Sequence, residues 1–150
     1  MKTIAVNKKA NFNYSITDKI EAGLVLTGSE VKSLRIVTAS IKESYIGEKE
    51  SELWLFNCHI SEYKSSNTKN FDPLRQRKIL LSKKQKNKLI GSLNKDGFSL
   101  VPMSLYFNNR GIAKILVGLG KGKKLFDKRQ TIKKKEWGIQ KQRILKEKNR

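Results

Sequence analysis

The chain has 150 residues, enough for one domain with a core of modest size, and 37% apolar residues suffice to fold it without disulfide staples. Its 33 Lys and Arg against 13 Asp and Glu give a formal charge of +20, far beyond the roughly 2–8 that solubility asks of a small domain; self-repulsion of that size points to a polyanionic partner, nucleic acid before a membrane surface. Apolar runs only a few residues long argue against a signal peptide or a spanning helix, and a single cysteine, Cys58, excludes an internal disulfide and fits a reducing, cytoplasmic compartment.

In chain order, residues 22–28 read as a strand with glycine at both ends, and Thr27-Gly28-Ser29-Glu30 is a capping box opening a short helix through Val31, Leu34 and Arg35. Residues 39–46 and 52–60 form two strands around a polar turn at 47–51. A long polar connection, 61–74, contains Asp72-Pro73 and is expected to be mobile; residues 75–81 then form a strand that starts basic and ends apolar. Ser82-Lys83-Lys84-Gln85 caps a second helix with Leu89, Ile90 and Leu93 inward, ended by Gly97. Residues 98–107 and 112–119 form a hairpin across Asn108-Asn109-Arg110-Gly111. About six short strands and two helices without a βαβ rhythm predict a mainly β fold, a small OB-like antiparallel barrel, over residues 1–120.

Residues 121–150 differ. They hold 13 basic and 3 acidic residues, a net +10 that equals the net charge of the 120 residues before them. Leu125, Phe126, Ile132, Trp137, Ile139, Ile144 and Leu145 are too few to bury a face, so this tail is expected to be disordered when free. Asp127 with Gln130 resembles a capping box, and Trp137 and Ile144 share a helical stripe, so a helix would form on a charged groove; Gly138 weakens it.

Catalytic chemistry is thin. There is one His and one Cys, with no zincin, C-x-x-C, G-x-S-x-G or complete Walker pattern, so no enzyme, metal site or cofactor is expected. Cys58 and His59 are adjacent on a strand and point to opposite faces, which prevents a nucleophile–base pair. Phosphate-binding chemistry remains: Lys8 and Lys9, the group Arg75, Arg77 and Lys78, Lys114, and the cluster Lys121, Lys123 and Lys124 are candidates to line one RNA groove. Trp54, Tyr63 and Phe71 are either stacking platforms or core.

Several runs resemble one known family. They are Asn7-Lys8-Lys9-Ala10 with Tyr14, Glu21-Ala22-Gly23, Leu26-Thr27-Gly28-Ser29-Glu30-Val31-Lys32-Ser33-Leu34-Arg35, Ser44-Tyr45, His59-Ile60, Asp72-Pro73-Leu74-Arg75, Arg77-Lys78-Ile79-Leu80-Leu81, and Gly118 through Arg129. Together they are similar to the SsrA-binding, or small protein B, family, over nearly the whole chain. The resemblance implies an OB-like barrel that binds the tRNA-like domain of transfer-messenger RNA, with Asn7, Glu21, Leu80 and Lys114 among its RNA contacts; Lys32 is a further RNA-binding candidate, and a monomer is expected. It further implies a tail that enters the vacant mRNA channel of a stalled ribosome and contacts small-subunit RNA. The tail residues at issue are Lys121, Gly122, Lys123, Lys124, Phe126, Asp127, Lys128, Arg129, Lys133, Lys134, Lys135, Trp137, Ile144 and Leu145. Phe12 and Phe126 depart from the family, which commonly has His, or His or Tyr, at these places. A generic basic RNA-binding protein and an RNA-processing enzyme using His59 or Glu21 are the competing readings.

Overall fold

The computed structural model describes residues 2–36, 39–63, 71–95 and 97–122. Among the described residues seven strands make one antiparallel sheet: β1 Lys2–Val6, β2 Tyr14–Leu24, β3 Tyr45–Lys49, β4 Glu52–Phe56, β5 Arg77–Leu80, β6 Phe98–Phe107 and β7 Ala113–Gly122. Three helices accompany them among the described residues, α1 Ala10–Asn13, α2 Gly28–Ile36 and α3 Lys83–Leu93. The strand order is β1-β6-β3-β4-β5-β2-β7, and β7 also pairs with β6, so the path of hydrogen-bonded neighbours returns on itself with β1 laid along β6.

Alternation along the strands sets the two faces. On β7, Ala113, Ile115, Val117 and Leu119 point into the core while Lys114 and Leu116 point out; Leu105 and Phe107 of β6 oppose Ile115 and Ala113 from the same inner side. Leu53, Leu55, Ile79, Leu100 and Leu105 are all buried in this core. On the outer face, α1 covers only one end, where Ala10 packs with Val101 and Met103 beside Tyr14, Ile16 and Leu116.

Local chemistry explains the punctuation. Thr27 and Glu30 form the reciprocal capping box: Glu30 N–H donates to Thr27 Oγ1 at 3.2 Å, and Thr27 N–H to Glu30 Oε1 at 2.9 Å. Ser82 Oγ accepts from Gln85 N–H at 3.3 Å to open α3. The β3–β4 turn is tighter than the five residues expected. Lys49 pairs with Glu52, and Glu50 and Ser51 alone make the bend, at φ 54° and 62°, the left-handed pair of a type I′ turn. Neither residue is a usual occupant of that turn, so its sequence signal is weak.

Several expectations change: the strand expected over 39–46 is β3 Tyr45–Lys49, and the one expected over 52–60 ends at Phe56, with Ser40 and His59 joined by an isolated bridge. β1 and α1 lie in the stretch before residue 14, where no element was expected, and β2 starts at Tyr14 rather than at residue 22. The boundary expected after Gly120 falls inside β7, because Lys121 pairs with Ser15 and Phe98 and Gly122 with Tyr14. The 61–74 connection lies partly outside the described residues, and so does the tail from 123 onward.

The buried polar centre sits between α2 and β5. Glu30 and Arg77 are 1% and 0% exposed. Arg77 Nε donates to Glu30 Oε2 at 2.6 Å, its Nη1 to the Cys58 carbonyl at 2.6 Å and its Nη2 to the Pro73 carbonyl at 3.2 Å. Arg75 Nη2 donates to the other oxygen, Glu30 Oε1, at 2.6 Å. Burial opposes the charge on Glu30, but hydrogen bonds from Arg75, the Thr27 N–H and Arg77, with the charge of Arg77, outweigh it and hold the carboxyl below the usual glutamate range.

Because the folded carboxyl binds a proton less readily than the unfolded one, its contribution to stability is complete above about pH 4.3, the ordinary glutamate value, and is lost as the pH falls through the lowered folded value. Arg77→Ala takes from a buried carboxylate its buried guanidinium partner, leaving Oε2 unpaired, and is expected to cost about 3–5 kcal/mol. Urea unfolding at pH 7 measures it. The double variant Glu30→Gln/Arg77→Met is expected to recover part of the loss, since removing both charges leaves neither unpaired.

Candidate nucleic-acid interface

Register assembles an outer-face row from five strands. Leu80 of β5 opposes Gly23 of β2, Gly23 opposes Lys114 of β7, Lys114 opposes Tyr106 of β6, and Tyr106 opposes Thr3 of β1. Directly opposed residues share a face, and Glu21, two residues before Gly23, joins them. Gly23 forms the floor of a trough: a Cβ there would stand 3.3 Å from Leu80 Cβ, so only glycine leaves bare backbone between Leu80 and Lys114. Leu80 is 48% exposed, unusual for a leucine in a strand.

Glu21 is exposed, and its carboxylate accepts a hydrogen bond from the Tyr106 hydroxyl. Burial and this carboxylate together push the phenol up to about 12, so Tyr106 stays a donor at neutral pH. It holds one oxygen of Glu21 and leaves the other directed to no side chain among the described residues. A carboxylate so placed accepts from base amino groups or ribose 2′-hydroxyls, and Lys114 beside it supplies a cation for phosphate.

The other predicted residues fall in different places. Asn7 is anchored, its N–H donating to the Met103 carbonyl at 2.8 Å and its Nδ2 to the Pro102 carbonyl at 3.1 Å. Lys8 and Lys9 are exposed on the turn into α1. Lys32 is exposed on α2 with its Nζ 6.0 Å from the centroid of the Tyr63 ring. Lys78 is half-buried on β5, 3.9 Å from Glu52. Lys121 lies 4.9 Å over the Phe98 ring, and with Gly122 it ends β7. Lys123, Lys124, Phe126, Asp127, Lys128, Arg129, Lys133, Lys134, Lys135, Trp137, Ile144 and Leu145 lie outside the described residues.

The group Arg75, Arg77 and Lys78 does not form the phosphate-facing cluster that its spacing implied. Arg77 is fully buried and spends its donors on Glu30, Cys58 and Pro73, while Arg75 is bound to Glu30 and to the Val25 carbonyl at 3.1 Å. A run of basic residues reads as a charged surface until a buried acid claims it. Trp54 is likewise engaged: its Nε1 donates to the Lys49 carbonyl at 3.2 Å, and Lys49 Nζ sits 5.6 Å from its centroid. Cys58 is buried and His59 exposed, so they do point apart; burial, against the pull of Arg77, pushes the Cys58 thiol up to about 11 and keeps it an inert thiol. Among the described residues no group of His, Cys, Asp and Glu is placed to hold a metal, and no helix is long and apolar enough to cross a membrane.

Tyr106 was not singled out in the sequence. Its role depends on a partner 85 positions away, and only its placement on the outward phase of β6 hints at it.

This geometry defines a class: a mainly antiparallel β protein with short helices, whose outer face sets Lys114, an open carboxylate and bare backbone side by side. A family model described as SmpB protein matches residues 4–147, and the chain belongs to that family. It is 55% identical over 145 residues to the SsrA-binding protein of Ehrlichia ruminantium (strain Gardel), covering 97% of this chain and 98% of that protein. To the SsrA-binding protein of Sinorhizobium fredii it is 53% identical over 146 residues, covering 97% and 92%. A solved chain described under "tmRNA-SmpB: a journey to the center of the bacterial ribosome" superposes with a TM-score of 0.66 at 41% identity, covering 82% of this chain and 86% of that one.

The coupling of Tyr106 to Glu21 is expected to appear in an ultraviolet difference titration. One tyrosine of the four should ionise near pH 12, and that component should vanish in Tyr106→Phe and move down toward the ordinary range, about 10, in Glu21→Gln.

Proposed function

We propose that this chain binds the tRNA-like domain of transfer-messenger RNA and delivers it to stalled ribosomes for trans-translation, acting by binding alone, without turnover, in the cytoplasm. The observation that carries this reading is the match, at 53–55% identity over 97% of the chain, to proteins described as SsrA-binding. The trough of Leu80, Gly23 and Lys114 beside Glu21 supports it by supplying the chemistry that RNA recognition needs: a cation for phosphate, an acceptor for base or 2′-hydroxyl, and an apolar contact. The closed path of strand pairings supports an OB-like barrel as the body that carries this face.

The segment from 123 to 150 takes the second task. It carries 12 basic and 3 acidic residues with few large apolar ones, a composition that orders where ribosomal RNA neutralises it and that an occupied mRNA channel would exclude. Lys128, Arg129, Lys133, Lys134 and Lys135 grip phosphate in that setting, and Trp137, Ile144 and Leu145 give the segment its thin apolar edge.

A competition assay at physiological salt decides the matter: transfer-messenger RNA is expected to outcompete unrelated structured RNA, and equal competition would reduce the chain to a generic basic RNA binder. Lys114→Ala should weaken binding and lower the slope of log K against log salt by about 0.7–0.9, the value of one phosphate contact. Truncation after Gly122, which keeps β7 whole, should spare RNA binding and abolish rescue of stalled ribosomes in a reconstituted translation system.

A further inference from the structure

The lysines of α3 stand where a helix tolerates them least. Residues 83–95 hold five lysines and no acidic residue, and three of them, Lys83, Lys84 and Lys86, fall in the first turn of α3, while its last turn carries no cation. The N-terminal end of a helix bears partial positive charge, so cations there oppose the dipole, and Lys84 and Lys88, four residues apart, repel one another. Lys86 is relieved by Glu52 at 3.0 Å and Lys88 by Asp18 at 3.5 Å. Lys83, Lys84 and Lys95 are exposed and in no ion pair among the described residues.

The helix carries this charge because its other face is secured. Leu89 is buried, Ile90 and Leu93 pack against the core, and Ser82 caps the start. The outward side, with Lys83, Lys84, Asn87, Lys88, Asn94 and Lys95 exposed, holds no aromatic ring to stack a base and no large apolar side chain to enter a lipid surface. It suits the repeated charge of an RNA backbone. Its position matters as much as its charge. α3 begins three residues after Leu80, at the end of the trough, and runs about 16 Å, 11 residues at the helical rise. Beyond its far end the Lys95 carbonyl accepts from the Phe98 N–H at 3.3 Å, and Lys121 of β7 lies 4.9 Å over the Phe98 ring.

We propose that the outward face of α3 is a phosphate track. RNA seated in the trough continues along it, its backbone held by Lys83, Lys84, Lys88 and Lys95, toward Lys121, where the C-terminal segment begins. Cations that strain the helix when it is free are neutralised when the backbone lies on them, so the arrangement costs stability and returns affinity. Glu52 and Asp18 border the track at its flanks, through Lys86 and Lys88. The inference rests on the RNA-binding reading and adds to it a contact that reads charge and not sequence.

The test is a salt titration of the full chain with the tRNA-like fragment of transfer-messenger RNA. Lys83→Gln/Lys84→Gln is expected to lower the slope of log K against log salt by about 1.4–1.8, two phosphate contacts, and Lys88→Gln/Lys95→Gln to lower it as well. Lys83→Arg/Lys84→Arg keeps the wild-type slope, and so does Lys2→Gln/Lys49→Gln, a control with the same loss of charge elsewhere on the surface. Thermal unfolding separates binding from folding: Lys83→Gln/Lys84→Gln should melt at or above the wild-type temperature, since it removes cations from the wrong end of a helix. An unchanged slope in that variant overturns the track, as does an equal fall in the control, which would reduce α3 to its share of the net charge. A loss seen only with ribosomes, the fragment being held as tightly as before, overturns it too, because the face would then belong to ribosomal RNA and not to a path from the trough. If the wild-type chain shows no preference for transfer-messenger RNA, the functional reading fails instead. The same slope comparison on an RNA duplex of unrelated sequence then upholds or overturns the track, since phosphates carry no sequence.

Discussion

One carboxylate organises this molecule. Glu30 caps the start of α2 through Thr27 and also neutralises Arg75 and Arg77 at the start of β5. A charge buried that deeply is tolerated only when its partners satisfy every oxygen, and here two guanidinium groups and a backbone N–H do so. The same Arg77 then binds the Cys58 and Pro73 carbonyls, so α2, the end of β4, the return of the 61–74 connection and β5 are tied at one point. Ser33 Oγ reinforces this by donating to the Ser61 carbonyl at 2.6 Å.

The outer face depends on that knot. β5 contributes only four residues to the sheet and meets β2 at two register pairs, too short a ladder to specify its own position. With Arg77 fixed at its first residue, Leu80 at its last is delivered beside Gly23 and Lys114. The outer-face row of Leu80, Gly23 and Lys114 is thus positioned by a buried polar centre. Of the three basic residues at 75, 77 and 78, two serve the fold. Lys8, Lys9 and Lys42, by contrast, are exposed and in no ion pair among the described residues.

Much of the fold was legible. The Thr27–Glu30 and Ser82–Gln85 boxes, the strand following 75, the 98–107 and 112–119 hairpin and the Asn108–Gly111 turn are local signals, and local hydrogen bonding decides them. β1 and α1 were not legible: Lys2–Val6 is half polar because it lies along β6 with one side outward, and α1 is four residues that fold only over Val101 and Met103. On the outer face, Glu21 and Leu80 came from family resemblance and Lys114 from its charge as well, whereas Tyr106 and the packing of Tyr45 on Phe56 carried no local signal.

Composition and spacing alone determined the net charge of +20, its equal division between the first 120 residues and the last 30, the helix caps, and the absence of a catalytic motif, because each is a property of residues near one another in the chain or of their sum. The tertiary structure decided which cations remain available. Arg77 and Lys114 are both basic residues on strands, but one meets a buried carboxylate from 47 positions away and the other stands on the outward phase of β7. Burial and long-range pairing set that difference, and neither is written in the local sequence.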